Sequence, residues 1–374
     1  MGRKLATSDG RGAERKIAND KKGMKQLRYI FFLILLAALQ ACNGGKTVRQ
    51  AEAEETATVG LSFNEDSAYF FCEQQCAFGP RTMNSAAHDE CEAWIIQRFR
   101  QYGCEVTTQK ANLKGWDGTT LRSTNIIART NPSASRRIII CAHWDSRPWA
   151  DNDPDSANWR KPVMGANDGA SGVAVMLELA RCINGSVAEN SDFIASDSLK
   201  LNFGIDFVCF DAEDYGTPEW AGRDDSEETW ALGAQHFAAN MPAATAEGRQ
   251  TTTAPYSFGI LLDMVGGQGA HFYHEGLSKY YAPDILAEVW QAACHAGYSS
   301  FFLNQDGGTV TDDHKPLNEA GIPTIDIIAY YPDCQQSGFG PTWHTVTDDM
   351  QHIDRNTLKA VGQTLVQFLY GKIM

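Results

Sequence analysis

The chain has 374 residues, of which 43% are hydrophobic and 21% charged, so it can bury a sizeable core as one large α/β domain or two smaller ones. Its formal net charge of -14 excludes a nucleic-acid binder that works by neutralising phosphates. None of the 10 cysteines has metal-ligand spacing with a nearby histidine, and Cys141 and Cys209 fall inside apolar runs where a free thiol packs as a small core residue, so no disulfide framework is expected.

Residues 1–23 are basic, lack apolar periodicity and precede a second methionine, Met24. They read as an upstream extension outside the true start. From Met24 the order is that of a secretory signal: Lys25 and Arg28, then the apolar run YIFFLILLAAL, too short for a permanent membrane span, then LQAC ending at Cys42. That ending resembles a bacterial lipobox, which implies a lipid anchor on Cys42 as the mature N-terminus. The expectation is a signal over 24–42, a polar tether over 43–62, and an exported, membrane-anchored lipoprotein whose folded domain, 63–374, is periplasmic.

Within that domain, FNEDSAYFFCEQQCAFG and HDECEAWIIQRFRQYG predict two helices, and STNIIART and SRRIIICAH predict strands. After the glycine-rich turn GANDGASGV, MLELARCI predicts a helix. LNFGIDFVCF, YSFGILLDMVG and PTIDIIAYY predict three more strands, and NTLKAVGQTLVQFLYGK a closing amphipathic helix. Two stretches, NGSVAENSDFIASDS and MPAATAEGRQTTTAP, read as polar loops. Alternating strands and helices, with no internal repeat and no splitting linker, predict a single α/β domain: a mixed, mostly parallel central sheet with helices on both faces.

In such sheets ligands bind beyond the carboxyl ends of the strands, and these ends carry the chemistry. RIIICAHWD ends in His143 and Asp145, and GAND supplies Asp168. FVCFDAED ends in Glu213 and Asp214, and ILLDMVG carries Asp263. VTDDHKP brings Asp312 and Asp313, and GPTWHTVTDD brings His344. Each has an ordinary explanation alone: a satisfied histidine, a helix cap, a solvated turn. Together at one edge they suit a catalytic zinc, which takes histidine and carboxylate ligands and needs no cysteine.

The ordered motifs HWDSRPWADNDPD, GANDGASGVAVMLELA, FDAEDYG, LLDMVG, VTDDH and TWHT resemble those of the bacterial glutaminyl cyclases, within the zinc-dependent aminopeptidase superfamily. The resemblance runs from about residue 63 to the C-terminus. It implies one zinc ion held by Asp168, Asp214 and His344, with Glu213 as the proton-transfer residue. Animal members carry glutamate at both positions of the acidic pair; here it is Glu-Asp, so the backbone must approach the metal more closely. Strand alternation is expected to aim Asp214 at the ion and Glu213 at the substrate.

The implied reaction converts N-terminal glutamine of peptides to pyroglutamate with release of ammonia. Asp312, in preference to Asp313, matches the family's catalytic aspartate and is expected to share a carboxylate network with Asp263, one of the pair protonated. Trp343, beside His344, and Trp220 are expected to bind substrate, with Trp144 in the same aromatic wall. The rival is a zinc aminopeptidase using water. It needs a second zinc on His143 and Asp263 with Asp168 bridging, and all three residues are present.

Overall fold

Alternate residues of the inner strands face opposite layers, and this divides the hydrophobic core. A computed structural model describes residues 61–185, 201–222, 227–241, 245–246, 249–250 and 256–371. The extension, the signal with Cys42, nearly all of the tether and much of the two polar loops lie outside the described residues.

A two-residue ladder at Thr245–Ala246 and Arg249–Gln250 aside, the strands are β1 Glu105–Lys114, β2 Thr120–Arg129, β3 Arg137–His143, β4 Gly204–Phe210, β5 Gly259–Asp263, β6 Phe272–His274, β7 Phe302–Asp306 and β8 Thr324–Ile328. The main sheet has the order β1-β2-β4-β3-β5-β8. β1 pairs antiparallel with β2 and β2 with β4, while β3 pairs parallel with both β4 and β5, and β5 with β8. The result is the mixed, mostly parallel sheet expected from the sequence, with β6 and β7 forming a separate parallel pair.

The helices are α1 Glu65–Ala77, α2 Ala86–Gln101, α3 Ala170–Gly185, α4 Leu232–Ala239, α5 Gly276–Tyr281, α6 Pro283–His295, α7 His314–Glu319 and α8 Arg355–Tyr370. From β3, Ile138, Ile140 and Ala142 join the larger core with α1, α2, α3, α6 and α8. Ile139 and Cys141 face the other way, into a smaller core with Phe237 of α4 and Leu317 of α7. Period-two alternation through a sheet buried on both faces makes these strands read as continuous apolar runs. Helix starts follow the capping residues: Asn64 accepts from the Ser67 N–H, Ser85 from His88 and Asp354 from Asn356.

α3 lies hard against the sheet because its first turn carries Gly172. A Cβ there would stand 2.2 Å from the Leu262 carbonyl oxygen, so no larger residue fits without moving the helix. Every cysteine among the described residues is free. Among the same residues no helix is long and apolar enough to cross a membrane. The parallel strands β4, β3, β5 and β8 point one way, so the loops after β3, β4 and β5 open at one edge.

Candidate metal centre and active site

The acidic pair does not sit on a strand. β4 ends at Phe210, and Ala212 turns the chain through the left-handed region at φ 56. This corrects the expected mechanism of divergence: a strained turn, not strand alternation, separates the side chains of Glu213 and Asp214. The turn is held by neighbouring carboxylates. Asp145, wholly buried, accepts the N–H groups of Glu213 at 3.1 Å and Asp214 at 3.2 Å. Asp211 accepts from Thr124 at 2.6 Å and pairs with His88 at 2.8 Å. Met264 and His344 also have positive φ, of 48 and 53, so three non-glycine residues at this edge hold a conformation that costs on the order of 1–3 kcal/mol each.

Asp168 comes from the turn before α3. Gly169 follows it at φ 99, where a Cβ would stand 2.6 Å from the Asp145 carbonyl oxygen. The Asp348 carboxylate accepts the N–H groups of Asn167 at 2.8 Å and Asp168 at 3.1 Å, tying this turn to the His344 loop. Asn152 fastens that loop from the other side, donating to the Trp343 carbonyl at 3.1 Å through its amide and to the His344 carbonyl at 3.1 Å through its backbone.

These constraints bring Asp168, Asp214 and His344 together, with one donor atom of each lying within 4.8 Å of the others. His344 Nε2 is 3.2 Å from Asp214 Oδ1 and 3.7 Å from Asp168 Oδ2. Burial, reinforced by Arg147, pushes the His344 imidazole well below its ordinary pKa. The ring is therefore neutral and keeps a lone pair for a metal. Two carboxylates and a neutral histidine, with Asp168 and His344 lining a cavity of about 430 Å³ and Asp214 buried behind them, fit a catalytic zinc by donor chemistry.

A second set shares Asp168. His143 Nε2 lies 2.9 Å from Asp168 Oδ1 and 3.3 Å from Asp263 Oδ1, again with all donor atoms within 4.8 Å. Burial alone would lower the His143 pKa, but Asp145, Asp168 and Asp263 together hold it well above the ordinary value.

Glu213, Asp263 and Asp312 line the cavity beside the first set. Burial raises the Glu213 carboxyl well above the usual range, and Asp312, Asp214 and Asp313 add to it against the pull of His143. Burial and Asp263 push Asp312 to about 7, with His314 opposing. Asp313 is fully buried behind it and does not line the cavity; burial and Asp312 keep its pKa well above normal. A third set, Asp312, His314 and Asp326, continues this network inward.

Of the tryptophans, Trp343 lines the cavity and stacks on His344 with ring centroids 3.7 Å apart. Trp144 does not belong to that wall: its ring is buried in the core, stacked on His88 at 4.1 Å. Trp220 is also away from the cavity lining, edge-on to Trp149 at 5.7 Å and covered by Arg160 at 3.9 Å. Trp230, which the sequence reading did not single out, takes the position expected of Trp220, lining the cavity with its ring parallel to that of His344 at 6.0 Å.

Sequence reasoning missed Arg147. Its guanidinium grips Asp151 with bonds of 2.6 and 2.7 Å, reaches Asp214 Oδ1 at 3.2 Å and lies over the Trp230 ring at 4.7 Å. The only signal was an arginine four residues before an aspartate inside the HWDSRPWAD motif, which is not helical and gave no reason to pair them.

A doubly covered, mostly parallel sheet with histidine and carboxylates converging at its carboxyl edge defines an α/β enzyme with candidate metal-binding groups. The family model of Peptidase family M28 matches residues 125–369. The chain belongs to that family. It is 26% identical over 257 residues to a glutaminyl-peptide cyclotransferase of Bos taurus, covering 66% of this chain and 65% of that protein, so it spans just under two thirds of that relative's length. Among solved structures, a glutaminyl cyclase of Bacteroides thetaiotaomicron bound to N-acetylhistamine superposes with a TM-score of 0.74 at 45% identity, covering 83% of this chain and 98% of that one. A leucine aminopeptidase precursor of the same organism matches with a TM-score of 0.74 at 44% identity, covering 84% and 99%.

Proposed function

We propose that the chain is a zinc-dependent glutaminyl-peptide cyclotransferase acting on peptides and proteins with N-terminal glutamine. The observation that carries this is the split acidic pair. Asp214 converges with Asp168 and His344, while the neighbouring Glu213 lines the cavity as a carboxyl of raised pKa. The similarity to the Bacteroides glutaminyl cyclase supports it.

Held by Asp168, Asp214 and His344, a zinc ion would polarise the γ-carboxamide oxygen as a Lewis acid. The rest falls to the chain's own residues. Glu213 accepts a proton from the α-amine as its nitrogen bonds to the carboxamide carbon, Cδ, and passes that proton to the carboxamide nitrogen as the bond between Cδ and that nitrogen breaks and ammonia leaves. Its raised pKa brings it closer to the amine it must deprotonate. Asp263 raises the pKa of Asp312 beside it, so joint ionisation of the two carboxyls is disfavoured. Trp343 and Trp230 line the cavity with their rings against His344, apolar surface that limits the water that hydrolysis requires. Both reacting groups belong to one residue, so much of the catalysis lies in holding a near-attack conformer.

The second reading is a two-zinc aminopeptidase, favoured by the donor set His143, Asp168 and Asp263 and by the similarity to the leucine aminopeptidase precursor. Elemental analysis combined with assays on glutaminyl and leucyl substrates separates the two. One zinc equivalent and ammonia release support the cyclase; two required equivalents and release of leucine support the aminopeptidase.

We also propose that the protein is an exported lipoprotein anchored through Cys42, its domain reaching the periplasm on the 43–62 tether. The support is the basic, apolar and LQAC order of the sequence. A Cys42→Ser variant that is still processed and membrane-bound like the parent would refute it.

A further inference from the structure

The catalytic cavity has a neighbour. Past Phe339 lies a second hollow of about 200 Å³, walled by Tyr273, Val310, Ile328, Ala329, Tyr330 and Phe339. Val310, Ile328 and Phe339 line the catalytic cavity as well, so the two spaces share a wall. The rings step outward from the metal centre: His344 to Trp343 at 3.7 Å, Trp343 to Phe339 at 4.9 Å. Tyr273 and Tyr330 meet edge to face at 5.4 Å on the far side.

We infer that this hollow is the subsite for the side chain of the residue following the N-terminal glutamine, and that it selects apolar side chains. The inference rests on the cyclase reading. Three observations carry it. The first is size: an apolar cavity of about 150 Å³ accommodates benzene, so about 200 Å³ takes an isobutyl or phenyl group. The second is reach. Successive Cα atoms are about 3.8 Å apart, so a glutamine seated in the catalytic cavity delivers its neighbour to the shared wall.

The third is the state of the one charged group in the lining, Glu275. Its Oε1 accepts the N–H groups of Leu277 at 2.8 Å and Val310 at 3.1 Å. Its Oε2 accepts from the Ser278 N–H at 2.6 Å and hydroxyl at 2.7 Å and lies 3.2 Å from His314 Nε2. With both oxygens occupied from within the protein, the carboxylate offers little to a cationic side chain and repels an anionic one.

Gly308 provides the test, because it lines the hollow and a Cβ built there meets nothing within 4 Å. Ammonia release is measured with the dipeptide amides Gln-Leu, Gln-Gly and Gln-Glu. For the parent, kcat/KM should fall in that order, with Leu exceeding Gly roughly 10-fold or more, the worth of a filled apolar pocket. Gly308→Phe, which fills the space, should bring the Leu-to-Gly ratio close to one, mainly through KM. Tyr330→Ala, which breaches the wall from the opposite side, should lower the same ratio. Equal parental rates on Gln-Leu and Gln-Gly, or a ratio that survives both variants, overturns the subsite while leaving the cyclase intact. No ammonia from any of the three peptides overturns the cyclase reading and the subsite with it.

Discussion

Arg147 should couple the stability of the domain to its hold on metal. The side chain is 1% exposed and bonds two buried carboxylates, Asp151 through a bidentate pair and Asp214 through one nitrogen. Arg147→Met fills a similar volume but leaves Asp151 and Asp214 buried without their cation. Breaking a buried pair this way costs about 3–5 kcal/mol. At about 2 °C per kcal/mol, suited to a large domain, the metal-free protein should lose roughly 6–10 °C in Tm. Asp214 also loses the group that orients it, and metal affinity should fall about 10–100-fold, as it does when a ligand's outer partner is removed. Arg147→Lys keeps the charge but not the fork, so it should fall between the two. Calorimetry of the metal-free protein and competition against a chelator measure both effects. A methionine variant that melts and binds zinc like the parent would refute the assignment of Arg147 as the clamp on Asp214.

Glu213→Gln should keep zinc and fold while kcat falls by about 10²–10⁴, since the amide cannot take the amine proton; Asp214→Asn should lose the metal instead, and elemental analysis of the two variants checks the assignment. Acid stability follows from Glu275, whose pKa drops from an ordinary 4.5 to about 2 because His314 and the backbone N–H of Leu277 outweigh the effect of burial. A depressed carboxylate stabilises the fold fully above its unfolded value, so up to about 3 kcal/mol should be lost as pH falls from about 4.5 to 2. In Glu275→Gln, denaturant midpoints should decline less steeply over that window, and parallel pH profiles for parent and variant would count against it.

Inner strands were legible because burial on both faces makes them uninterrupted apolar runs, as in Ile138–Cys141 and Phe207–Phe210, and the helices α2 and α8 were legible from their period. β1 was not. Its residues alternate between exposed and half-buried positions on a sheet edge, and EVTTQKANLK offers no apolar face to read. The set of carboxylates and histidines could be located because strand ends in a parallel sheet share an edge. Loop paths could not. Which tryptophan reaches the cavity cannot be read from its place in the sequence, and it is Trp230, not Trp220, that lies against His344. The left-handed turn at Ala212 was hidden for a similar reason: it is imposed by the Asp145 carboxylate, far away in sequence, and alanine carries no local signal for it.

The most direct test is the mass of the product formed when the zinc-loaded domain acts on a peptide that begins with glutamine. The account predicts a product lighter by one ammonia, with every residue retained and its N-terminus blocked. A peptide shortened by its first residue, with free glutamine in solution, would contradict it.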